Sequence, residues 1–509
     1  MPPCPRPRCI RRAPDVVNAR RFAAALLLAL LPLAAAEGLA RMRLGGSLAR
    51  SLPYVSDEVA YWSQVATFAA AGFDGGYATI DERPARAAFT HFGPNGPVFS
   101  MMYGAPARLT GWGYRTAPIY GAIAWVVAAV IWVLAARPAP LQAALLLATF
   151  WPVVLAAPNT MQEPLHLAVG CVLAALLPTL VGFAPAHRVW WRWLAAALAV
   201  TIVASLVRPV WGIAAIGAGW QIARSRGARW GGWGLVAGAA LCAVAYVSFS
   251  ALASPYPSAV GGLGLLTGNP SGSAVLLARA VRDGAAVWLT GDAEPLERAF
   301  RFEVLAVTAL CAWSAWRDSD AAARRIAAAM SLTLALVIVG NLALRNTGSW
   351  QDYRTATPVL LMAVLTASAA RFRWTWAVVA ANLALAPVAV ATFDDFHAER
   401  FATDREPRIA QFAAAVDGVI RFDPALGGWG NTVLVSVDRY DTPLMGLPRG
   451  IAVSAVFDWT DVALPVRSRY LLLTDAEVQR LTPRVPLRKL RDTPLGELYE
   501  NTGWARGRP

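Results

Sequence analysis

The sequence predicts a mainly α, polytopic membrane protein of about eleven transmembrane helices, with a small α/β domain at its C-terminal end. Three observations predict it. The chain has 509 residues, of which 57% are hydrophobic and only 15% charged, against roughly 25% charged in soluble domains. Long apolar segments recur from residue 22 to about residue 392. From residue 393 onward the composition turns soluble, and the apolar residues begin to alternate. The expected division is therefore a transmembrane domain over 1–392 and a C-terminal extracytoplasmic domain over 393–509.

Residues 1–21 form a basic tail with Arg6, Arg8, Arg11, Arg12, Arg20 and Arg21. The apolar run 22–36 follows and ends Ala34-Ala35-Ala36-Glu37, which imitates a signal-peptidase site. Because a multi-span core follows, the run is read as a retained first span. Its basic flank stays cytoplasmic, so residue 40 onward lies outside. Residues 40–117 then make a long first external loop with two amphipathic stretches, about 57–71 and 97–110. These are too short and polar to span, and suit helices lying in the interface. Between them, 72–96 is irregular and rich in Gly and Pro.

Further apolar segments fall at about 118–136, 141–157, 164–182, 193–207, 209–222, 232–252, 302–316, 326–344, 357–370 and 374–392. The Arg clusters at 137, 188–192, 224–229, 317–325 and 371–373 fall on alternate connections. Those are the connections placed in the cytoplasm from the N-terminus alone. The external side then carries the 40–117 loop, the turn 158–163, the loop 253–301 and the tail. The tail reads as a helix over 404–420, strands at 431–437, 451–457 and 469–473, a helix over 475–481 and a terminal strand.

The formal charge of +14 sits in short Arg clusters between apolar segments, the pattern of cytoplasmic loops rather than of a nucleic-acid surface. Of five cysteines, Cys4 and Cys9 lie in the tail, and Cys171, Cys242 and Cys311 lie in spans as small packing residues. His91, His166, His187 and His397 are scattered and offer no zinc spacing.

Candidate chemistry gathers on the external side. Asp57 and Glu58 open the first amphipathic stretch. Acids in a first helical turn complement the helix dipole, and a carboxylate beside apolar surface can also act as a general base for an alcohol. Tyr61 sits one turn on from Asp57 on the same face. In Thr90-His91-Phe92-Gly93-Pro94-Asn95-Gly96-Pro97 the glycines and prolines fix a non-helical backbone around His91 and Asn95, ending at a helix start. Glu163 precedes Pro164 on the 158–163 turn. Arg208 lies between two apolar spans, where a cation needs a partner or an aqueous cavity. Arg345, Asp352 and Arg354 occupy the external connection before Pro358. An Arg there is a natural phosphate ligand, and Asp352 can instead neutralise it.

The order of basic tail, span, acidic external loop, many spans and a soluble external domain resembles the GT-C superfamily of integral-membrane glycosyltransferases. The residues that carry the resemblance are Asp57-Glu58-Val59-Ala60-Tyr61 and His91-Phe92-Gly93-Pro94-Asn95-Gly96-Pro97-Val98-Phe99. The second segment is similar to the His-Pro-Pro segment of the bacterial mannosyl- and aminoarabinose-transferase branch, with Gly93-Pro94-Asn95-Gly96-Pro97 in place of the tighter Pro-Pro. The resemblance implies a polyprenyl-phosphate sugar donor and a glycan or lipid acceptor. Asp57 becomes the base with Glu58 beside it, and Arg354, Arg345 and Arg208 become ligands of the lipid phosphate. Tyr61, His91, Asn95, Glu163 and Asp352 line the substrate. The resemblance fixes no cofactor, and a divalent metal on Asp57 and Glu163 stays open. The setting is the bacterial inner membrane, with no nucleic-acid partner. Two other classes compete. An O-antigen-type polymerase or ligase carries its large external loop late in the chain, and a transporter or flippase places polar residues within paired broken spans.

Overall fold

The computed structural model describes residues 19–504 apart from 55, 86–95, 115, 183–187, 225–226, 253–269, 291–294, 345–350 and 462–463. The chain opens with helix α1 (Ala19–Leu44). The first loop then gives α2 (Ser56–Ala71), the two-residue strand β1 (Thr79–Ile80) and α3 (Val98–Thr110). Both amphipathic stretches are thus helices.

The bundle continues with α4 (Thr116–Ala136), α5 (Pro140–Thr149), α6 (Trp151–Ala156), α7 (Glu163–Gly182), α8 (Arg188–Val207) and α9 (Val210–Arg224). After them come α10 (Ala228–Leu252), α11 (Pro270–Thr290), α12 (Pro295–Arg317), α13 (Ala321–Leu344), α14 (Gln351–Ala369), α15 (Thr375–Ala384) and α16 (Ala386–His397). Among the described residues, seven helices are long and apolar enough to cross a membrane, or eight if the bent pair is one span. Two shorter apolar helices, Pro140–Thr149 and Arg354–Ala369, add to these.

The differences from about eleven spans have local causes. The segment at 141–157 divides into α5 and α6 at Phe150, whose backbone leaves the helix just before Trp151-Pro152. The last span bends by 57° between α15 and α16, where Pro387 follows the break. The expected loop 253–301 instead holds all of α11 and the first turns of α12. Arg279, Arg282 and Asp283 in α11 gave that stretch the charge of a loop.

α7 and α14 run through the middle of the bundle. Their closeness depends on Gly170, where a Cβ would lie 2.6 Å from the carbonyl oxygen of Pro358.

The C-terminal unit has α17 (Arg405–Val416), α18 (Gly427–Gly430), β2 (Thr432–Ser436), α19 (Asp441–Gly446), β3 (Ala452–Val456), β4 (Tyr470–Leu473), α20 (Asp475–Leu481), β5 (Leu487–Thr493) and β6 (Gly496–Asn501). Thr474 and Glu477 form a capping box at the start of α20. The sheet is six-stranded, in the order β1-β3-β2-β4-β6-β5. Its first four strands are parallel, and β6 and β5 close it as an antiparallel hairpin. β2, β3 and β4 are buried on both faces, so they read as continuous apolar runs. Val433, Val435 and Leu472 face one core, and Leu434, Leu471 and Leu473 face the other.

The edge strand β1 comes from the first external loop, with Thr79 opposite Ser454 and Ile80 opposite Ala455. By packing, the sheet therefore includes a piece of the chain far outside 393–509. α2 lies between the two units. Val59, Ala60 and Trp62 join the sheet's core with Ile409, Phe412 and Leu444. Tyr61 and Val65 join a bundle-side cluster with Phe99, Tyr103, Met161 and Val207. A helix buried all round belongs between two layers.

Candidate active site

The first turn of α2 sets out the site. Consecutive helical residues point about 100° apart, so Asp57 and Glu58 meet different neighbours. Asp57 shares its face with Tyr61, one turn on, and looks toward the bundle. Glu58 shares its face with Trp62, which packs into the sheet unit's core.

On the bundle side, Arg354 Nη2 donates to Asp57 Oδ2 at 3.3 Å. Arg354 Nη1 reaches Met161 Sδ at 3.5 Å, on the 158–163 turn. The main-chain oxygen of Arg354 accepts from Arg208 Nη1 at 2.9 Å, and Arg208 Nη2 donates to Glu163 Oε1 at 2.8 Å. Arg208 holds this place because α8 and α9 break at Arg208-Pro209. Asp57, Arg354, Arg208 and Glu163 thus form one row of two guanidiniums between two carboxylates. Its exposed end is Asp57, 43% accessible, while Arg354 is 10% and Glu163 8% accessible. Glu163 Oε2 is buried with no partner among the described residues. Tyr61 completes the row, and burial and then the Asp57 charge push its phenol well above the usual range.

On the other side, Glu58 and Arg400 form a fully buried ion pair. Glu58 Oε2 also accepts from the Tyr54 amide at 2.8 Å, and Oε1 from the Thr160 amide at 2.6 Å. Both carboxylate oxygens of Glu58, expected beside Asp57 in catalysis, are thus enclosed by protein donors. Next to this pair, burial pushes the Asp441 carboxyl up to about 6, with Arg405 lowering it and the Glu58 charge raising it further.

Five of the expected residues therefore come together: Asp57, Tyr61, Glu163, Arg208 and Arg354. His91, Asn95 and Arg345 lie outside the described residues. Asp352 is in the first turn of α14, and its side chain lies outside the described residues. Thr160, Met161 and Arg400 were not foreseen, and no spacing in the sequence signals them.

Asp57 and Glu163 each already face a guanidinium, and no group of three metal-ligating side chains exists among the described residues. This donor set suits an anion better than a divalent cation. His166 is fully buried in α7, with Nδ1 accepting from Trp211 Nε1 at 2.9 Å, which gives it a packing role.

No protein-family model matches the chain, and no curated protein matches it in sequence. Among solved structures the chain is similar to ArnT from Cupriavidus metallidurans bound to undecaprenyl phosphate. The identity is 13% and the TM-score 0.51, over 94% of this chain and 99% of that one. The apo state of that protein gives 14% identity and a TM-score of 0.50, over 96% of this chain and all of that one. The likeness covers the bundle, the first loop and the sheet unit together. In all three parts the chain has the GT-C fold.

Proposed function

We propose that this protein is a membrane glycosyltransferase that moves a sugar from a polyprenyl-phosphate donor to an envelope glycan or lipid acceptor. The observation that carries this reading is the Asp57–Arg354 pair, with the carboxylate exposed, the guanidinium buried beside Met161, and the Arg208–Glu163 pair joined to it through the Arg354 main chain. The fold shared with a protein whose structure holds undecaprenyl phosphate supports the donor class.

In this reading the donor phosphate engages Arg354, with Arg208 behind it. Arg354 then exchanges part of its contact with Asp57 for phosphate oxygens, which leaves Asp57 free to take a proton. An acceptor hydroxyl attacks the anomeric carbon from the face opposite the phosphate, so the configuration inverts. Asp57 removes the hydroxyl proton as the new C–O bond forms. The bond from the anomeric carbon to the phosphate oxygen breaks, and the polyprenyl phosphate leaves as an anion held by the two guanidiniums. Tyr61 and Glu163 line the same face, and His91, Asn95, Arg345 and Asp352 belong to the loops flanking it. The alternating Arg clusters put the N-terminus in the cytoplasm of a bacterial inner membrane, with the active face and the sheet unit outside.

The test is turnover of a panel of polyprenyl-phosphate sugars by the detergent-purified protein. Release of polyprenyl phosphate with sugar on the acceptor is the expected result. A folded protein that turns over no donor contradicts the reading.

A further inference from the structure

We propose that Glu58 and Arg400 are positioning residues through which the turn joining the bundle to the sheet unit fixes the direction of the Asp57 carboxylate. The proposal rests on the transferase reading above and gives that junction a part in its chemistry.

Among the described residues, Asp57 is held on its own face by a 3.3 Å contact at an exposed position. Such a contact does little to fix the rotation of a helix. Glu58, one residue on, is fixed from three directions: by the Tyr54 amide before the helix, by the Thr160 amide from the 158–163 turn, and by Arg400. Arg400 belongs to the 3₁₀ turn Ala398–Phe401, where the chain leaves the bundle for the sheet unit. Its main-chain oxygen also accepts from the Leu52 amide at 3.0 Å. Its Nε and Nη2 are buried with no partner among the described residues, so Glu58 answers most of its charge.

A second tie holds the far end of the same loop. Asp81 and Glu82 both adopt left-handed backbone, at φ 48° and 57°. Glu82 is buried and accepts from the Arg467 and Ser468 amides, each at 2.8 Å, and from Ser468 Oγ at 2.6 Å. The first loop is thus tied to the sheet unit at both ends of the α2–β1 segment. A rotation of the first turn of α2 that moves Asp57 away from Arg354 must break the buried Glu58–Arg400 pair.

The test compares Glu58→Gln with the double variant Glu58→Gln/Arg400→Met. The double variant removes both buried charges and keeps one amide oxygen for either the Tyr54 or the Thr160 N–H group, so it is the more stable of the two. Transfer by the double variant should show kcat lowered about 10- to 100-fold, the scale of a misplaced catalytic group, with KM for the donor within about twofold because Arg354 and Arg208 are untouched. In an Asp57→Asn background the same pair of changes should cost nothing further, since it acts only through Asp57. An equal loss in that background, or wild-type kcat in the double variant, overturns the proposal.

A readout independent of activity is amide hydrogen exchange over residues 60–64 of α2, expected to speed up at least tenfold in the double variant as the first turn loosens. If the wild type transfers no sugar, the transferase reading fails. Exchange then decides the tie alone: unchanged exchange overturns it, and faster exchange supports it.

Discussion

Asp57 and Glu58 carry the same functional group on adjacent residues, yet a turn of about 100° sends one to an exposed site and the other into a closed ion pair. Chemistry and stability should therefore separate between them. Glu58→Gln leaves the Arg400 charge buried and uncompensated, which should lower stability by about 3–5 kcal/mol. Thermal unfolding in detergent checks this, and Glu58→Gln/Arg400→Met should recover most of the loss. Arg354→Gln removes the cation proposed to face the donor phosphate. It should lower kcat/KM about 100- to 1000-fold while the protein still folds, as read by steady-state transfer. Asp441 gives a pH signature. Its folded-state value of about 6 lies above the ordinary 3.8, so the folded protein binds the proton more readily than the unfolded chain. The resulting stability is fully present below about pH 4 and lost as pH rises to about 6. Asp441→Asn should stabilise the protein by about 1–3 kcal/mol at pH 7.5 and by little at pH 4, as measured by unfolding at the two pH values.

The element with the least chain and the largest structural consequence is β1. Its two residues extend the sheet, and the approach depends on Gly76, where a Cβ would lie 2.7 Å from the Ala452 Cβ and 2.9 Å from the Gly450 oxygen. Gly76→Val should displace β1 and cost about 1–3 kcal/mol, seen as a lower unfolding temperature and faster proteolysis of the 72–97 segment. β1 could not be read from the sequence, because a two-residue strand has no periodicity and its partner Ser454 is far along the chain. Of the other elements of the sheet unit, α17, β2, β3, β4, α20 and one terminal strand were legible, and α18, α19 and the second strand of the closing hairpin were not. β2, β3 and β4 are continuous apolar runs, and Thr474 with Glu477 marks the start of α20. α11 was hidden for the opposite reason, since its charges made it look like a loop. Of the site, Asp57, Glu163, Arg208 and Arg354 were legible as polar residues that the alternation of Arg clusters puts at one end of the bundle. Their pairing was not, nor was the meeting of Glu58 with Arg400 across 342 residues. Such contacts depend on how the helices pack, which no local pattern carries.

At the scale of the whole molecule, the bundle supplies the cations and the first loop supplies the exposed carboxylate, with the sheet unit seated on that loop. The sidedness proposed from the Arg clusters has a direct test. A cysteine in place of the exposed Asp404 should react with an impermeant thiol reagent on intact cells, and one in place of the exposed Arg373 only after permeabilisation. The central claim is that the exposed carboxylate of this assembly is the base of a transfer from a lipid phosphate. The most direct measurement is the rate of sugar transfer and the affinity for the polyprenyl-phosphate sugar in Asp57→Asn beside the wild type. The account predicts kcat down by about 100-fold, with donor affinity unchanged or higher because Arg354 has lost a competing carboxylate. Transfer at the wild-type rate by the variant would contradict it.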